Sequence, residues 1–151
     1  MALTTESKIA DYFIYVANET GSYLSNLKLQ KLLYYAQAWH LALYGISLFD
    51  EEFEAWIHGP VIPSLYAKYQ KFGWKPILEE VNKPEFSEEL QEFLDEVTEE
   101  YFMLDTFELE MMTHREAPWI EARKGLPIDE PSRAIISLQS MKDYFKARVT
   151  P

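Results

Sequence analysis

The sequence of 151 residues contains no cysteine, which excludes a disulfide framework, a thiol nucleophile and a Cys-type zinc site. Glycine is scarce: there are five, none in a Gly-rich loop, so neither a P-loop nor a dinucleotide fingerprint can be written. There is no Gly-x-Ser-x-Gly elbow for a nucleophile. No apolar run approaches the roughly 20 residues needed to span a bilayer, and no early basic-then-apolar segment reads as a signal peptide. The expected compartment is the cytoplasm. Positive charge is short as well, with 14 Lys/Arg against 25 Asp/Glu and a net charge of −11. Phosphate neutralisation supplies most non-specific affinity for nucleic acid, so a chain lacking a basic stripe binds neither duplex nucleic acid nor an anionic membrane well.

What is present is a globular composition, 48% hydrophobic and 15% aromatic, long enough for one domain over residues 1–151 with a core that needs no staples. The negative charge is concentrated. Residues 79–110 hold thirteen Asp/Glu against Lys83 alone, while the rest of the chain is nearly balanced. Such a block reads first as a solvated helix face, then as a dock for a basic partner or a nucleic-acid mimic.

Periodicity predicts a compact, mostly α bundle of six or seven helices with a minor β-hairpin or extended element near 46–58. Ile9, Phe13 and Val16 share one stripe of a first helix over residues 6–18. Ser25 caps the strongest helix, in which Leu29, Leu32, Leu33, Ala36, Trp39 (or His40) and Leu43 recur until Gly45 stops it. So much apolar surface around the circumference predicts a helix at the centre of the core. Phe53, Ala55 and Ile57 then alternate with Glu52, Glu54 and Trp56 as a short strand that Gly59-Pro60 ends. Pro60 or Pro63 opens the next helix, through Tyr69. Ser87 caps a helix to about Phe102, and Asp105 with Glu108 has capping-box spacing for another through about Thr113. Pro118 suits the first turn of a short helix closed by Gly125. Ile135 and Ile136 are read as extended before Ser137 caps the last helix.

Three histidines, His40, His58 and His114, are the natural place to look for catalysis, and none sits in a local metal-binding pair. His58 follows Glu54 by four residues and His114 precedes Glu116 by two. Were these four to converge, a small hydrolase or metal-dependent enzyme would be conceivable. Taken singly, each histidine is read as structural. No cofactor is expected.

Four stretches together resemble one family: NLKLQKLLYYAQAWHLALYG at 26–45, LFDEEFEAWIHGPVIPSLY at 48–66, MTHREAPWIEAR at 112–123 and, more loosely, IISLQSMKDYF at 135–145. They are similar to the Panacea antitoxin domain, the SocA-like and phage-associated GepA-like proteins, in the family's order and over almost the whole chain. The departure is the start of the last helix, where SLQS stands in place of the Asn or Asp cap region common in that family. The resemblance implies a binding protein that neutralises a toxin encoded nearby, either by direct contact or as an adaptor delivering it to the ClpXP protease. Self-association stays open. The motif positions it carries over as partner-binding or family signature are Tyr34, Gln37, Trp39, Glu54, Trp56, His58, Gly59, Pro60, Tyr66, His114, Glu116, Pro118 and Trp119. Among these, Tyr34, Trp39, Trp56, Tyr66 and Trp119 form the expected aromatic binding surface.

Overall fold

A computed structural model describes residues 2–149. Met1, Thr150 and Pro151, which the expected domain includes, lie outside the described residues. The element order is α1 (Glu6–Thr20), α2 (Asn26–Tyr44), β1 (Glu54–Trp56), β2 (Gly59–Val61), α3 (Pro63–Tyr69) with a 3-10 turn (Gln70–Phe72), α4 (Glu88–Tyr101), α5 (Thr106–His114), α6 (Ala117–Ala122) and α7 (Leu138–Lys146). The mostly α architecture with one small antiparallel hairpin matches the pattern read from periodicity.

Local chemistry sets most of the helix starts. Ser25, Ser87, Asp105 and Ser137 each accept a hydrogen bond from the backbone N–H three residues on, at Lys28, Leu90, Glu108 and Ser140. Each satisfies one donor that the helix cannot satisfy itself. SLQS therefore starts its helix with an ordinary serine cap.

Helix α2 is central: it buries residues on every side, and α1, α3, α4, α5, α7 and β2 pack around it. A helix buried all round must also place its polar residues inside, where each needs a partner. Two glutamines do this by acting as backbone. Gln37 donates to Phe49 O (2.9 Å) and accepts from Leu48 N (2.7 Å). Gln30 accepts from Ile62 N (2.9 Å) and donates to Asn26, which donates in turn to Tyr66 O. The chain segments entering and leaving the hairpin are thus fastened to α2.

The hairpin itself differs from the expected strand. Gly59-Pro60 does not end the β element but lies within its second strand, paired Ala55↔Pro60 and Trp56↔Gly59, and the turn falls at Ile57-His58. The physical reason is where Ala55 sends its hydrogen bonds. Its N–H donates to Ala134 O (2.8 Å) and its carbonyl accepts from Arg123, so it asks nothing of Pro60, which has no N–H to give. On its far side β1 is flanked by the extended residues 134–136, with Ile136 N donating to Phe53 O (2.8 Å). Pro63, rather than Pro60, opens α3.

Candidate functional site

The corner at Ile57-His58-Gly59 is gripped from the α5–α6 segment. Three successive carbonyls of the hairpin each receive one side-chain donor: Ala55 O from Arg123 Nη1 (3.1 Å), Trp56 O from Trp119 Nε1 (2.8 Å) and Ile57 O from His114 Nε2 (2.7 Å). A carbonyl can only accept, so the His114 proton sits on Nε2. Nδ1 is left buried, without a partner among the described residues. The three donors also stack on one another. The Arg123 guanidinium lies 4.6 Å from the Trp119 ring centroid, and the His114 ring lies 4.2 Å away at an interplanar angle of 23°. Sequence explains the alignment. His114 ends α5, Pro118 sits in the first turn of α6, and Trp119 and Arg123 are four apart on one helix face. Arg123 also donates to Pro127 O and Glu130 O, tying down the following loop.

Beneath the corner, Lys31 of α2 is wholly buried, and its Nζ has no hydrogen-bond partner among the described residues. Gly59 lies against it with φ of +108°. A Cβ built there would sit 2.9 Å from Thr113 Oγ1 and 3.0 Å from Lys31 Cε. At the tip, His58 Nδ1 lies 3.1 Å from Glu110 Oε1, with the His58 side chain largely in solvent. On the other flank, both carboxylate oxygens of buried Glu116 lie within reach of the Tyr35 hydroxyl (3.1 and 3.0 Å). Tyr35 stacks on Tyr101, whose hydroxyl accepts from Trp39 Nε1.

The four groups of the conceivable acid–base or metal site have separate partners. Glu54 accepts from Trp56 Nε1 (2.8 Å) and Arg133 Nε (3.1 Å). His58 meets Glu110 rather than Glu54, while His114 meets a carbonyl and Glu116 a tyrosine. No group of three His, Asp or Glu among the described residues is placed to hold a metal ion. His40 donates through Nδ1 to Ile46 O (2.6 Å).

The expected aromatic surface is also divided. Tyr34 is fully buried, packed edge-on against Tyr35, Phe53 and Phe145, and Trp119 is buried by the clasp it forms. Neither presents surface to a partner, because large apolar rings stabilise more when removed from water than when displayed. Trp39 is half-buried over Phe145. Trp56 and Tyr66 remain partly open and touch edge-on at 5.0 Å. Gln37, Gly59, Pro60 and Pro118 are buried scaffold. Lys31 stood among the family-motif positions of α2, whereas Tyr35, Glu110 and Arg123 were not among the site residues expected from sequence. Only the i, i+4 spacing of Trp119 and Arg123 could have signalled one of them.

Two buried ionisable groups give the corner a pH signature. Burial pushes the Glu116 carboxyl up from 4.5 to about 7, against the Tyr35 hydrogen bond and the charges of Arg148 and Arg115. Burial pushes the Lys31 ammonium down from 10.5 to about 7, against Glu110. For Glu116 the folded state holds the proton more tightly than the unfolded one, so its contribution is full below pH 4.5 and is lost as pH rises to about 7. For Lys31 the folded state holds the proton less tightly, so stability is regained between about pH 7 and 10.5. His40 and His114, lowered by burial, act against Glu116 in the acidic range. The wild-type curve therefore mixes signs, and Glu116→Gln isolates one of them. Relative to wild type the variant should gain on the order of 3 kcal/mol between pH 4.5 and 7. Urea denaturation across that range checks it, and parallel curves would refute the buried-carboxyl account.

The three strongest sequence stretches thus meet at one place: α2 supplies Lys31 and Tyr35, the hairpin supplies the carbonyls, and α5–α6 supplies the donors. Residues 29–120 match the family model described as Antitoxin SocA-like, Panacea domain, and the chain belongs to that family. Among curated proteins it is similar to Antitoxin SocA of Caulobacter vibrioides (strain NA1000 / CB15N), 46% identical over 55 residues. That stretch is 36% of this chain and 29% of the relative, so the match spans under a third of the relative's length. No solved structure matches.

Proposed function

We propose that this protein is an antitoxin that neutralises a toxin encoded nearby by binding it directly. The observation that carries the reading is family membership across 29–120, in which the motif stretches converge on one braced corner. The dispersal of His58, His114, Glu54 and Glu116 among unrelated partners supports a binding role over a hydrolytic one. Among the described residues no helix is long and apolar enough to cross a membrane.

Co-expression with the neighbouring gene tests this. The neighbour alone should arrest growth, and this protein should restore it while co-purifying with the toxin. A neighbour that is harmless alone, or one that stays toxic in its presence, would sink the reading. Direct binding predicts that protection persists in cells lacking ClpXP. Protection lost there would replace direct neutralisation with the proteolytic adaptor route.

A further inference from the structure

One turn of α2 below Lys31, an open groove of about 790 Å³ lies between the α1–α2 turn, the loop after the 3-10 turn and the α4–α5 junction. Tyr23, Leu27, Trp74, Pro76, Phe102 and Met103 line it. Tyr23, Trp74 and Met103 are 80, 83 and 83% exposed, which is close to the exposure of an unfolded chain. Large apolar side chains gathered this way on one rim mark an interaction surface rather than scattered surface residues. The groove is preformed. Ser25 Oγ is 3.2 Å from Thr106 Oγ1, Ile77 N donates to Leu24 O (2.8 Å), and Lys28 Nζ donates to Phe102 O (2.6 Å). Its walls are therefore tied together before anything binds, which lowers the ordering cost of association.

The charge around it selects the occupant. Lys28 is turned inward onto the Phe102 ring, and Lys71 is paired with Glu79. Within three residues of the lining positions, Glu19, Glu99, Glu100, Asp105 and Glu108 are exposed against Lys75. An apolar trough that has Asp105 in its lining, with exposed glutamates close by along the chain, complements a basic segment carrying a large apolar side chain. A second copy would bring its own net charge of −11, and an anionic bilayer would be repelled likewise.

We propose that this groove receives a cationic segment of the toxin, whose aliphatic or aromatic side chain inserts between Tyr23, Trp74 and Met103. The proposal rests on the antitoxin reading and names the surface by which it acts. The test uses the full chain, the toxin encoded beside it, calorimetry and the growth-rescue assay. Tyr23→Ala with Trp74→Ala should weaken binding at least about thirtyfold and leave the melting temperature near wild type, because both side chains touch little. Glu99→Gln with Glu100→Gln and Glu108→Gln should slow association, and wild-type association should slow as salt rises. Trp56→Ala, at the sequence-expected surface, should bind as wild type. Three outcomes overturn the groove: its variants bind undiminished, Trp56→Ala alone abolishes binding, or sedimentation reveals a dimer that Trp74→Ala dissociates. If wild type itself neither binds nor rescues, the antitoxin reading fails and the groove assignment with it.

Discussion

Trp119→Ala should lower the stability of the protein by about 3–5 kcal/mol, the usual cost of emptying a large buried aromatic site. Three losses coincide there. The ring is 4% exposed, so a sizeable cavity opens. The carbonyl of Trp56 loses the indole N–H at 2.8 Å. His114 and Arg123 lose the surface on which both are stacked. For a chain of this size the melting temperature should fall by roughly 10 °C. Trp119→Phe separates the contributions in part, since it keeps an aromatic ring for stacking while removing the donor and the smaller ring of the indole, and it should cost about 1–2 kcal/mol. If Phe proves neutral in chemical denaturation, the indole hydrogen bond does not hold the hairpin. If Ala costs under 1 kcal/mol, the clasp itself is dispensable.

Gly59→Ala should be nearly as damaging although it adds a single methyl group. The backbone there has φ of +108°, a region that penalises any Cβ, and the new carbon would lie 2.9 Å from Thr113 Oγ1 and 3.0 Å from Lys31 Cε. Strain and overpacking each cost about 1–3 kcal/mol, so a combined loss of about 2–4 kcal/mol is expected. Lys31 is a flexible chain, but it is enclosed and cannot withdraw into solvent. Pairing Gly59→Ala with Thr113→Ser keeps the hydroxyl and leaves the clash, whereas pairing it with Lys31→Met tests the second contact. A Gly59→Ala protein as stable as wild type in urea would show that the corner can relax, and would remove the close-approach explanation for this glycine.

The two substitutions probe what could and could not be read from the chain. Ser25, Ser87, Asp105 and Ser137 were legible as caps because the donor each satisfies lies only three residues away. The acidic outer face of α4 was legible because its apolar positions, Leu90, Phe93, Leu94 and Val97, recur at helical spacing and are buried. Gly59-Pro60 misled because the local meaning of proline is a break in pairing. What rescues it is Ala134, some eighty residues on, taking the N–H of Ala55. The clasp was hidden for the same reason: His114, Trp119 and Arg123 reach carbonyls 57 to 68 residues away. Burial of Tyr34 and exposure of Trp74 look identical in a sequence, since a ring alone does not say which side of the fold it faces. The family resemblance pointed to the stretches that matter, but not that they bind chiefly one another.

The packing of α7 on α2 has a consequence for synthesis. Phe145 meets Tyr34, Tyr35 and Trp39 at 6.1, 5.9 and 5.0 Å between ring centroids, yet it is translated 101 residues after Tyr44 ends α2. At about 5–20 residues per second, the nascent chain carries that aromatic face uncovered for roughly 5–20 s. A ribosome that stalls anywhere in between leaves a product with its central helix open along one side, a ready target for chaperones and proteases. Slowed translation would therefore deplete the mature protein more steeply than the drop in initiation alone accounts for.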